Sequence, residues 1–162
     1  MSSADAFPEP GHDHGACVAD ILTAAERVCG ERRVRLTTQR RQVLEIVAER
    51  HAAIGAYEIM ERMAEGGRRP APVTVYRALE FLIDNGLVHR LASLNAFIAC
   101  AHPAAEHGAQ FLICRQCGRV AELADDGVLR AIDRGAARAD FDVSAPIVEV
   151  VGTCAPCRDK AA

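Results

Sequence analysis

Apolar residues recur three and four apart through the first eighty-odd positions, then run together in short stretches. That pattern predicts four helices followed by a hairpin. The first helix is amphipathic and covers about Val18–Cys29. The second, capped by Thr37 or Thr38, continues to about Arg50 and carries Val43, Leu44 and Val47 as its apolar stripe. The third covers about Tyr57–Glu65 and stops at Gly66-Gly67. The fourth covers about Thr74–Asn85, with Val75, Leu79, Leu82 and Ile83 on one face and Arg77, Glu80 and Asp84 opposite. Gly86 ends it as a C-terminal cap. Two β-like runs, Leu87–Leu91 and Ala96–Cys100, flank Ala92-Ser93-Leu94-Asn95 and read as the hairpin. Helices closed by a two-stranded wing describe a winged helix-turn-helix.

Beyond a loop at about Ala101–Ala109 the period changes. Gln110–Cys114, Arg119–Leu123 and Pro146–Thr153 read as strands, and Asp126–Arg138 as a helix. The fold class is therefore α+β: a disordered tail over 1–16, a winged-helix domain over 17–100, a hinge loop over 101–109 and a small α+β domain over 110–158. No internal repeat is visible.

Composition changes this picture in one respect. Of 162 residues, 50% are hydrophobic but only 4% aromatic, so two cores of this size are each marginal. A metal staple would supply stability that burial alone does not. No apolar run approaches the ~20 residues that span a bilayer. Asp5, Glu9 and Asp13 stand where a secretion leader would be basic and then apolar, which predicts a cytoplasmic protein without a membrane partner.

The net charge of −3 is unevenly spread. Residues 20–92 hold twelve basic and ten acidic side chains, with Arg32, Arg33, Arg35, Arg40 and Arg41 close together. Such a cluster fits an anionic partner, and fits a solvated helix face equally well.

The chemistry lies in the cysteines. Cys114/Cys117 and Cys154/Cys157 form two Cys-x-x-Cys pairs separated by 36 residues. Each pair turns two sulfurs toward one point, and two pairs complete a tetrahedral S₄ shell for structural zinc. Gly118 and Pro156 help each pair form a tight knuckle. Redox motifs, disulfides and buried thiols are the other readings of such residues, and they fit two pairs without a leader poorly. Cys17 and Cys29 fall in the first helix and match no ligand pattern. His12 and His14 are incidental tail residues, and His51 has a helix-end position with no evident chemistry.

A winged helix joined to a zinc-knuckled α+β domain resembles the ferric uptake regulator family of bacterial metal-dependent repressors. The likeness covers about Val18 to Cys157. It is carried by Arg35-Leu-Thr-Thr-Gln-Arg40, Ala56-Tyr-Glu58, Pro72-Val-Thr-Val-Tyr-Arg-Ala-Leu79 and both Cys pairs. Within the family the chain is most similar to the zinc uptake regulators. That resemblance makes the first domain DNA-binding and the second a dimerisation domain. It implies two Zn²⁺ per subunit, one structural and one regulatory, the latter held by His89, Cys100, His107 and Glu122. The loop between Cys100 and His107 is about one residue shorter than the family pattern, so His102 is the substitute for His107. Two imidazoles, a thiolate and a carboxylate suit tetrahedral Zn²⁺, whereas iron(II) or manganese(II) sensing favours nitrogen and oxygen donors. Singly, His89 reads as a surface or core residue and Cys100 as a small buried hydrophobe.

The resemblance further implies a homodimer on palindromic double-stranded operator DNA, with one or two dimers per operator. Zinc would close the hinge and set two recognition helices about 34 Å apart. Arg77 would read guanine, Thr74 and Tyr76 a phosphate or thymine methyl, Tyr57 a base or the backbone, and Arg40 and Arg41 phosphates. A half-buried core tyrosine is the other reading of Tyr76. Enzyme chemistry is not expected: no histidine has Glu two residues on, as the zinc deaminases require, and no phosphate loop stands out. No small-molecule substrate is implied. The remaining alternatives are iron, manganese or peroxide sensing within the family, or a zinc-ribbon interaction module that does not bind DNA.

Overall fold

The computed structural model describes residues 14–50, 52–65, 67, 69–101, 103 and 108–160. The chain divides into two compact units, one ending at residue 105 and one running from 106 onward.

The first unit contains α1 (His14–Glu31), α2 (Thr38–Ala48), α3 (Ala56–Glu65), α4 (Pro72–Asp84), β1 (Val88–Leu91) and β2 (Ala96–Ala99). Residues 14–16, which composition assigns to a disordered tail, are helical instead. The stripe of Leu22, Ala25 and Val28 buries against the core, and the extra turn extends the helix those contacts already hold. Thr37 is the N-cap of α2, its side chain accepting from the Arg40 backbone N–H at 3.4 Å. Val43 and Leu44 of α2, Ile59 and Met60 of α3 and Val75, Leu79 and Leu82 of α4 are almost wholly buried. Each such side chain contributes roughly 1.5–3 kcal/mol by leaving water.

Gly86 has φ 68°, a conformation that costs any residue with a Cβ. Its N–H reaches Ile83 O and the Leu87 N–H reaches Leu82 O, which closes α4 and turns the chain into the wing. β1 and β2 pair antiparallel, with Val88 opposite Ala99 and His89 opposite Ile98. Ile54 adds a bridge to Phe97 by two hydrogen bonds of 2.9 Å, stitching the segment before α3 to the wing.

The second unit contains β3 (Ala109–Cys114), β4 (Val120–Glu122), α5 (Asp126–Arg138), β5 (Ile147–Gly152) and the short α6 (Ala155–Asp159). Its sheet order is β4-β3-β5, with β3 antiparallel to β4 and parallel to β5. A parallel neighbour requires a crossover, and α5 supplies it, started by Asp125, whose carboxylate accepts from the Gly127 N–H. Phe111, Ile113, Val120 and Ala121 make a thin core. Within this unit α5 buries none of its residues, and Ile147, Val150 and Val151 of β5 stand 63%, 49% and 57% exposed. The sequence predicts all three strands and α5; α6 lies inside the segment read only as a knuckle.

Candidate functional site

The register of the parallel pair brings the two cysteine knuckles together. Cys114, the last residue of β3, lies opposite Gly152, the last of β5, so both chains leave the sheet at the same end. The β3 chain turns through Cys117, with the Gly118 N–H donating to Cys114 O at 2.9 Å and Gly118 at φ 71°. The β5 chain turns through Cys154, where α6 begins, and Cys157 follows one turn on. One Sγ from each of the four residues lies within 4.8 Å of the others, an arrangement that could hold a metal ion.

The donor chemistry fits zinc. Cys117 Sγ and Cys154 Sγ are 3.7 Å apart. A tetrahedron with Zn–S bonds of about 2.3 Å has edges of about 3.8 Å. A disulfide at about 2.05 Å does not describe this pair, and all four cysteines are free thiols. The backbone prepares the sulfurs for charge. The Cys154 N–H donates to Cys114 Sγ at 3.4 Å, and it is the main reason the Cys114 thiol falls to about 6, helped by the Cys117 N–H. Cys117 is also lowered, first by the Arg119 backbone N–H and then by the Arg119 guanidinium. Cys157 is pushed up to about 12, because it shares a hydrogen bond with Cys154 and is desolvated. Two sulfurs thus favour thiolate while a third retains its proton until a cation replaces it.

Of the residues expected to hold a regulatory ion, His89 and Cys100 belong to the first unit and Glu122 to the second. His89 lies on β1, half-buried, and Cys100 follows β2 with 1% exposure. The hairpin register brings them together within the first unit, their ligand atoms within 4.8 Å. Glu122 ends β4 in the second unit and is partly buried. His107 and its substitute His102 lie outside the described residues. Cys29 is a buried member of the α1 core, its thiol raised by burial, in keeping with a helix residue rather than a ligand. His12 and His51 lie outside the described residues, and His14 starts α1.

The residues expected to face DNA do not behave alike. Tyr57 is 70% exposed at the start of α3, and Tyr76 is 43% exposed on α4, half-buried as its alternative reading has it while still open to solvent. Both border a recess of about 380 Å³ that Phe97 and Arg90 of the wing also line. Arg77 is exposed and has no ion-pair partner among the described residues; Thr74 is partly buried one turn before it. The N-terminus of α4 has Ala71 at the cap with no side-chain hydrogen bond; Pro72 carries no N–H, and the Thr74 N–H donates to Ala71 O at 2.9 Å.

Arg40 and Arg41 have internal partners. The Arg40 guanidinium stacks on Phe81 and donates to Arg35 O at 2.6 Å. Arg41 pairs with Glu26 and, at 3.3 Å, with Glu45. Two features escape the sequence reading: the Arg119 contact with Cys117, and exposed Val73 beside Arg77. Val73 carried a signal, being apolar yet outside the α4 stripe.

No helix among the described residues is long and apolar enough to cross a membrane. The ferric uptake regulator family model matches residues 31–150. The zinc uptake regulation protein of Escherichia coli (strain K12) is 36% identical over 85% of this chain and 81% of its own length. A solved structure described as a zinc uptake regulator complexed with zinc and DNA is 34% identical, covers 89% of this chain and 97% of its own, and superposes with a TM-score of 0.84. A second, described as holo XcZur, is 42% identical over 86% of this chain and 98% of its own, at a TM-score of 0.78. With the winged helix, the knuckled sheet and the four converging thiols all present, this chain belongs to the ferric uptake regulator family.

Proposed function

We propose that this protein is a zinc-responsive transcriptional repressor that acts in the cytoplasm and controls zinc uptake genes. It binds palindromic operator DNA as a homodimer and is not an enzyme. The observation that carries the reading is the likeness, along most of both chains, to a regulator solved with zinc and DNA. The donor set adds independent support, since a thiolate at Cys100 beside the His89 imidazole favours zinc over iron(II) or manganese(II).

Cys114, Cys117, Cys154 and Cys157 hold the structural ion, clamping the ends of β3 and β5. His89, Cys100, His107 and Glu122 hold the regulatory ion. When bound there, zinc supplies a cross-link between side chains of both units, and it favours DNA binding only so far as it prefers the DNA-competent arrangement. The exposed apolar face of β5 and the uncovered α5 form the homodimer surface. Arg77, Tyr57, Thr74 and Tyr76 meet the operator. Arg40 and Arg41 contribute phosphate contacts through the guanidinium donors that their internal partners do not occupy.

Cys100→Ser separates the two ions. The variant is expected to remain a folded, zinc-containing dimer while losing zinc-dependent binding to operator DNA. An unaltered zinc response in a DNA-binding titration would overturn the regulatory site.

A further inference from the structure

Val73 sits in the first turn of α4 with 55% of its surface in water. The fold supplies no reason for a valine there. The buried positions of α4 are Val75, Ala78, Leu79 and Leu82, and at an exposed helical site a β-branched residue is a poorer helix former than alanine or leucine.

Its neighbours supply one. Helical spacing puts Val73 one turn before Arg77 on a common strip, with Tyr76 at its border. Of the exposed large apolar side chains described in the first unit, Val34, Tyr57, Val73, Tyr76 and Leu94, three stand on α3 and α4. A strip that pairs an apolar side chain with a guanidinium that has no ion pair among the described residues is complementary to a major-groove edge. There the 5-methyl of thymine is the apolar group, and guanine O6 and N7 accept two hydrogen bonds from arginine. One helical turn of about 5.4 Å spans between one and two base-pair steps of about 3.4 Å.

We infer that Val73 is a specificity-determining residue that packs on the 5-methyl group of a thymine within two base pairs of the guanine read by Arg77. The inference rests on α4 being the recognition helix of the proposed repressor.

The test uses the intact zinc-loaded protein and an operator fragment recovered from its own genome. That fragment is resynthesised with deoxyuridine replacing each thymine in turn, which removes only the methyl group. Wild type and Val73→Ala are compared; the variant site is exposed and alanine is the better helix former, so folding is retained. In each half-site one substitution is expected to weaken wild-type binding about fourfold, the worth of one buried methyl, and to leave Val73→Ala unchanged. If every methyl loss costs both proteins the same, the inference is overturned and the repressor reading stands. If no fragment is bound specifically, both fall.

Discussion

The guanidinium of Arg40 lies 3.5 Å from the centroid of the Phe81 ring, tying the first turn of α2 to the C-terminal part of α4. This contact orients α4 against the rest of the unit, independently of any role of Arg40 at phosphate.

Removing it has a measurable cost. Arg40→Ala is expected to lower the stability of the first unit by about 0.5–1 kcal/mol, the worth of a part-exposed cation–π pair. Urea unfolding read by circular dichroism checks this. No change in midpoint would reduce the stacking to a contact without consequence.

The thiol pKa values give the metal site a pH signature. Cys114 is lowered to about 6, so its thiolate stabilises the metal-free fold fully above the ordinary thiol value of 9.0, and this contribution is lost as pH falls through about 6. Cys157 runs the other way: its contribution is full below 9.0 and is lost as pH rises through about 12. Zinc uptake at pH 7.5 is therefore expected to displace fewer than four protons, with affinity falling more steeply below pH 6, where Cys114 too must deprotonate. Calorimetry in two buffers of different ionisation enthalpy counts these protons. Four released at pH 7.5 would contradict the assignment.

The uncovered side of the second unit makes a third expectation. Val151→Glu places a charge on the exposed face of β5, and burying it unpaired would weaken dimerisation about a hundredfold or more. Sedimentation at micromolar concentration is expected to show monomers. A persistent dimer would move the interface elsewhere.

Much of this arrangement was legible in the chain, because its punctuation is local. Thr37, Gly66-Gly67, Gly86 and the Cys knuckles are short-range signals, and the helices and strands fall where they point. Long-range pairing was not legible. Nothing near Ile54 announces its bridge to Phe97, and the parallel register of β3 with β5 is what turns two spaced Cys pairs into one cluster. Arg40 and Arg41 read as free cations until the fold brings Phe81 and Glu26 to them. The run Pro146–Thr153 reads as a strand, but nothing in it announces that Ile147, Val150 and Val151 stay exposed among the described residues, the face that the proposed homodimer would cover.

Zinc-dependent operator binding is the central claim, and one measurement tests it most directly. Protein stripped of exchangeable metal, with the Cys₄ zinc left in place, is incubated with fragments of its own genome at buffered free zinc and, separately, with anaerobic iron(II). Retention of particular fragments with zinc alone is the expected result. Retention with iron(II) alone, or no specific retention under either metal, would contradict the account.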